Sequence, residues 1–164
     1  MKTFALTALI ASALLATRTL AADRVEITFD HPEKFADIMA EYPDDGSHRA
    51  EMLQRLATEF AGTVSARLKD GYHLSLTFTE IDLAGDYRDG LHQGATRIRL
   101  VSEFYAPRLA FDFVLTDPAG KMAAQGHRDI TDHAFLSNTS SSDRDAFKYE
   151  KQILRRWART ELNF

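Results

Sequence analysis

Between Tyr72 and Leu83 the apolar residues change step, and that change limits what the chain can become. Tyr72, Leu74, Leu76 and Phe78 alternate with polar neighbours, which is the period-two signature of a strand with one buried face, but the next apolar residues are Ile81 and Leu83. A regular pleat carried through this point would turn Glu80 and Asp82 into the core, where unpaired carboxylates are costly. The pattern therefore predicts a bulge or kink near Thr79-Glu80 that returns Ile81 and Leu83 to the buried side.

The flanking segments supply the rest of a fold. Val25, Ile27 and Phe29 read as a short half-buried strand ended by His31-Pro32. Beyond the loop through Tyr42-Pro43-Asp44-Asp45-Gly46, Ser47 stands where an N-cap would, and Leu53, Leu56, Ala57, Phe60, Ala61, Val64 and Leu68 recur at helical spacing, with Gly71 past the end. Ile98 and Leu100 open a strand that ends near Tyr105-Ala106-Pro107, and Leu109, Phe111, Phe113 and Leu115 make the cleanest alternation in the chain. Thr116 to Lys121 carries the proline and glycine of a hairpin turn, so Met122 to Ile130 is the return strand. After a polar loop from Ser137 to Ser142, a last helix begins near Asp143 with Phe147, Ile153, Leu154, Trp157 and Ala158 on one side. The order β-α-β-β-β-β-α predicts a two-layer α+β fold: a mostly antiparallel sheet of about five strands covered on one face by two helices.

Ahead of this pattern, Lys2 precedes an uncharged Ala/Leu-rich run from Phe4 to Ala16, and Thr19-Leu20-Ala21-Ala22 follows. That is the pattern of a cleavable signal peptide over residues 1–22, with cleavage after Ala21 or Ala22, and the run is short for a membrane span of ~20 residues. The expectation is a soluble periplasmic chain whose residues 23–164 form a single domain, long enough for one core without an internal repeat or linker. Loss of Lys2 and Arg18 leaves eighteen cations against twenty-four acids, a net charge of −6. An acidic chain lacks the basic footprint that nucleic acid requires, and the absence of cysteine excludes a disulfide framework.

Five segments carry a resemblance: FDHPEKFADI (Phe29 to Ile38), TEIDLAGDY (Thr79 to Tyr87), YAPRLAFDFVLTDPAGK (Tyr105 to Lys121), GHRDITD (Gly126 to Asp132) and YEKQILRRW (Tyr149 to Trp157). In order and spacing they make nearly the whole mature chain similar to an uncharacterised family of short exported proteins of Gram-negative bacteria, a domain of unknown function. The resemblance implies a periplasmic single-domain protein and transfers no catalytic residue.

Candidate sites are weighed against plainer roles. Asp82, Asp86 and Asp89 lie around Gly85 and Gly90, but their spacing is not that of a calcium loop, and turn carboxylates that cap backbone N–H groups are the commoner case. Asp82, between two apolar residues at the predicted bulge, is the acid expected to be held by hydrogen bonds, to Arg108 or Arg97, with Tyr105 nearby in a polar pocket. His127, Asp129 and His133 share strand parity and are suitable zinc ligands; the alternative is a wet sheet face. Lys148, Lys151, Arg155 and Arg159 recur at three- and four-residue steps and form a basic stripe suited to an acidic partner or an anionic envelope component.

No G-x-S-x-G elbow, cysteine nucleophile or phosphate-cradling glycine loop is present. The reading that follows is a non-enzymatic exported binding or accessory protein of the cell envelope, without a cofactor. The alternatives are a metal-dependent hydrolase on the His127/Asp129/His133 cluster or the Asp82 to Asp89 acids, and a small-ligand carrier lined by Tyr87, Phe104 and Tyr105, aromatics whose plainer role is core.

Overall fold

In the computed structural model of the chain, residues 24–35, 37–38, 46–88, 98–139 and 144–162 are described. Strand β1 (Val25–Phe29) is followed by a 3-10 turn (Pro32–Lys34) and helix α1 (Gly46–Ser65). Five strands come next: β2 (His73–Asp82), β3 (Asp86–Arg88), β4 (Ile98–Leu100), β5 (Arg108–Thr116) and β6 (Met122–Thr131). A single-turn helix α2 (Phe135–Asn138) and helix α3 (Lys148–Glu161) close the order.

The main sheet runs β1-β2-β5-β6. β2, β5 and β6 are antiparallel neighbours, while β1 lies parallel to β2. Parallel neighbours cannot be joined by a tight turn, and the crossover here carries α1. The sheet is thus mixed, with two of its three pairings antiparallel.

The change of apolar phase is absorbed as predicted. The β2–β5 register shifts between Phe78 and Glu80, so that Phe78 faces Phe111 and Ile81 faces Leu109, all four buried. Helices α1 and α3 pack on this face, and a line of rings joins them through the sheet: Phe60 to Phe78 at 5.4 Å, Phe78 to Phe111 at 5.4 Å, and Phe111 to Trp157 at 4.9 Å between centroids. Edge-to-face and tilted aromatic pairs of this kind add roughly 0.5–1.5 kcal/mol each beyond their burial. Gly71 takes φ 79°, the left-handed conformation its place beyond α1 called for.

Four expectations change. Ile98 and Leu100 do not extend the main sheet; β4 pairs with β3 in a separate two-stranded ribbon, and the strand stops at Leu100 instead of running to Tyr105. Asp86 belongs to that ribbon and not to a solvated turn. Helix α1 starts at Gly46, so Ser47 lies inside its first turn. Helix α3 starts at Lys148, with Phe147 at its N-cap and buried in the core, so the helix begins later than Asp143 suggested. Residues 1–22, the loop from 42 to 45, Asp89, Gly90, Arg97 and Asp143 lie outside the described residues. Among the described residues no helix is long and apolar enough to cross a membrane.

Candidate functional site

The strand register puts Glu80, Asp82, Arg108, Asp112, His127 and Asp129 on the sheet face opposite the core. Parity fixes this: once the bulge turns Ile81 and Leu83 inward, Asp82 must point out, and it is exposed instead of buried. Arg108 is its backbone neighbour, but the Arg108 guanidinium forks onto Asp129, Nε to Oδ1 and Nη2 to Oδ2, both at 2.8 Å. That hydrogen-bonded pairing raises the Arg108 pKa, and the charges of Glu80 and Asp82 add to the effect. The same fork holds the Asp129 carboxyl below its usual range. The pocket expected to enclose Asp82 with Arg108 and Tyr105 is therefore not formed in that way.

Asp82 instead meets Asp37, a residue that no sequence pattern singled out. Burial pushes the Asp37 carboxyl up to about 7, with the neighbouring Asp82 charge adding to the rise. Two groups oppose it: the Leu83 N–H, which donates to Asp37 Oδ2, and the charge of Arg99.

One residue further on, the Ala84 N–H donates to Glu150 Oε1 at 2.8 Å, and Arg99 Nη2 reaches the same oxygen at 3.1 Å. Arg99 Nε also donates to the Ala84 carbonyl. Glu150 is wholly buried, its pKa is raised by desolvation, and its Oε2 has no hydrogen-bond partner among the described residues. Gly85 completes the turn with φ 101°, and a Cβ there would come within 2.8 Å of the Leu100 carbonyl oxygen, so only glycine lets the ribbon approach. The Gly85 N–H donates to the Tyr105 carbonyl at 3.0 Å.

Residues 82–85 are therefore a hub. Carboxylates from the segment after β1 and from α3 accept its successive N–H groups, and Arg99 ties it to the ribbon. Beside the hub, the stretch from Leu100 to Tyr105 presents Leu100, Val101, Phe104 and Tyr105 to solvent, with Phe104 83 % exposed. Phe104 and Tyr105 are thus not core residues; the side chain of Tyr87 lies outside the described set.

The remaining candidates are engaged elsewhere. His127 Nδ1 lies 2.8 Å from Asp112 Oδ1, Asp129 is held by Arg108, and His133 is exposed beyond the end of β6. Among the described residues no group of three or more His, Asp or Glu side chains is placed to hold a metal. In the basic stripe, Lys151 is only 11 % exposed and is bound to Glu59 at 2.7 Å and Asp145 at 2.5 Å. Lys148 lies over the Tyr149 ring, and Arg155 lines a shallow groove of about 420 Å³ between α1 and α3, while Arg159 is exposed in the last turn. A second groove, of about 290 Å³, runs between β6 and α3 over Ile130, Ile153 and Trp157, and ion pairs Arg128–Glu161 and Arg156–Asp132 close its rim.

Asp37, Asp82 and Glu150 come from FDHPEKFADI, TEIDLAGDY and YEKQILRRW, three segments that meet in space. Residues 23–160 match the family described as "Protein of unknown function (DUF3016)". No curated protein and no solved structure matches the chain.

Proposed function

The chain belongs to the DUF3016 family, and we propose that this member is an exported, non-enzymatic binding module of the bacterial cell envelope, which grips its partner at the end formed by the hub and the Leu100–Tyr105 stretch. The observation that carries the reading is an apolar surface held on a costly mount. Exposed aromatic and aliphatic side chains grouped in one stretch mark interaction sites more often than chance exposure does. The mount beneath them, a buried carboxylate against a guanidinium with one oxygen unpartnered among the described residues, contributes little net stability compared with apolar packing, so its use is to fix the orientation of the ribbon. The leader over residues 1–22 supports export to the periplasm. The hydrolase and carrier alternatives lose support because His127 is paired with Asp112, Asp129 with Arg108, and Phe104 faces solvent.

Osmotic-shock fractionation followed by affinity capture tests this. The expected result is protein in the periplasmic fraction with its N-terminus at residue 22 or 23, and captured partners that disappear with Phe104→Ser. A chain retained in the cytoplasm with its leader intact, or a partner set indifferent to Phe104→Ser, overturns the proposal.

A further inference from the structure

We propose that β6 and α3 form a docking groove for an extended peptide, which pairs its backbone with the free edge of β6 and sets an apolar and an acidic side chain, two residues apart, into the groove. The claim concerns a different surface from the Leu100–Tyr105 stretch and does not depend on what binds there. β6 ends the order β1-β2-β5-β6, so among the described residues its only strand neighbour is β5. The ladder shows which of its backbone groups are left over. Thr131 faces Arg108, and the next residue, Asp132, donates its N–H to the Pro107 carbonyl at 3.1 Å. Successive residues of a strand turn their N–H and C=O to opposite sides, so Ala124, Gly126, Arg128 and Ile130 bond β5. Gln125, His127, Asp129 and Thr131 therefore point theirs outward. The bond from Arg128 Nη1 to the His127 carbonyl, at 2.7 Å, agrees with this direction, and a carbonyl oxygen keeps a second lone pair for a peptide N–H.

The side-chain half of the site lies beside this edge. A strand laid against β6 sends every second side chain to the helix-covered face of the sheet, where the groove of about 290 Å³ is lined by Ile130, Ile153 and Trp157. That volume is at the small end of the range for ligand pockets and suits one or two side chains. Backbone pairing for affinity, with pockets for alternate side chains for selectivity, is a recurring mode of peptide recognition.

Two residues of the groove set the polar requirement. Trp157 is only 3 % exposed, and its buried indole N–H has no hydrogen-bond partner among the described residues. Arg156 touches Asp132 through Nη1 alone, at 3.3 Å, so its Nε and Nη2 bond nothing among the described residues. Asp132 has other donors in the Ala134 N–H and the Asn138 amide, so Arg156 is available to a second carboxylate. Arg128, by contrast, spends Nε and Nη2 on Glu161. The incompletely bonded guanidinium of Arg156 therefore selects an acidic side chain, which it can hold by charge-assisted paired bonds. Ile130, Ile153 and the Trp157 ring select an apolar one.

Trp157 is the chain's single tryptophan, so its fluorescence reports occupancy of the groove. The probes are the peptides acetyl-KTVTLTETVTK-amide and acetyl-KTVTETLTVTK-amide, which carry leucine and glutamate two positions apart in the two chain directions. One of them should shift the emission of the purified protein saturably. The matched peptides acetyl-KTVTLETTVTK-amide and acetyl-KTVTTELTVTK-amide have the same composition with glutamate moved to the other face, and should bind about fivefold more weakly, as should the variant Arg156→Gln with the original peptide. In nitrogen-15 NMR spectra of the complex, the His127, Asp129 and Thr131 amides should exchange with deuterium roughly tenfold more slowly than in the free protein, whereas those of Gly126 and Arg128, already bonded to β5, should change less. The proposal is overturned if neither probe shifts the emission, if the matched peptides or Arg156→Gln bind equally well, or if the outward amides gain no protection. Outward amides that are protected in the free protein and lose protection on dilution would show that a second copy covers β6, which overturns it too.

Discussion

Replacing Glu150 by alanine is the sharpest perturbation of the hub. The carboxylate is fully buried and its Oε1 serves two donors, the Ala84 N–H at 2.8 Å and Arg99 Nη2 at 3.1 Å. Removal strands a backbone donor, which costs about 1–3 kcal/mol, and leaves an Arg99 side chain that is only 17 % exposed without its counter-charge. Breaking a buried pair from one side costs roughly 3–5 kcal/mol in all, less whatever is regained by deleting Oε2, which has no partner among the described residues. For a domain of this size each kcal/mol moves Tm by about 3–4 °C, so Glu150→Ala should lower Tm by roughly 10–15 °C. Glu150→Gln keeps an acceptor for both donors and should cost about 1–2 kcal/mol. The assay is thermal and urea unfolding followed by circular dichroism, with Arg99→Met and the double variant Arg99→Met/Glu150→Ala completing a cycle. Because the two groups exist for each other, the double variant should be at least about 2 kcal/mol more stable than the sum of the singles. A loss below about 1 kcal/mol for Glu150→Ala, or additive single effects, would refute the hub as described.

Two further outcomes follow from the same region. The unfolded Asp37 carboxyl ionises near its ordinary value of 3.8 while the folded one keeps its proton to about 7. Stability therefore falls as pH rises across that window and levels off above it, by roughly 1–2 kcal/mol once solvent screening of a half-buried group is allowed for. Urea midpoints at pH 5 and pH 8 should show the fall, and Asp37→Asn should abolish it. Asp129 and Glu161, both lowered, mainly through Arg108 and Arg128, act in the separate acid range where stability is lost as pH drops. Gly85→Ala forces a β-carbon into the Leu100 carbonyl at φ 101°, so it should cost about 2–3 kcal/mol. Hydrogen exchange should show the amides of Ile98–Leu100 opening faster while those of β5 stay protected; uniform loss of protection would mean the glycine matters to the whole fold.

What the sequence made legible was whatever is written in local periodicity. The α1 stripe from Leu56 to Val64, the alternation of Leu109 to Leu115 and the slip at Phe78/Glu80 each involve residues a few positions apart, and all three reappear in the structure. The parallel pairing of β1 was hidden because a five-residue strand carries no mark of its neighbour's direction. Asp82 stands apart in the sequence, but the structure leaves it exposed instead of enclosed. Its flanking apolar residues suggested burial, whereas the same parity that buries Ile81 and Leu83 must expose it. Asp37, Arg99 and Glu150 are inconspicuous in the sequence for a different reason. Each looks ordinary in its own segment, and their significance arises from contacts to residues 83 and 84 that are 46, 15 and 66 positions away. Lys151 shows the converse: helical spacing put it in a basic stripe, but its charge is consumed by Glu59 and Asp145.

The central claim, that the hub holds the Leu100–Tyr105 stretch out as the partner-binding end, is tested most directly by photo-crosslinking in living cells. A photoreactive amino acid would replace Phe104 in one strain and Val114, an exposed residue on the open sheet face, in another. The account predicts a discrete envelope adduct from position 104 that is absent from position 114. Adducts of the same pattern from both positions, or none from position 104 while the protein accumulates normally, would contradict it.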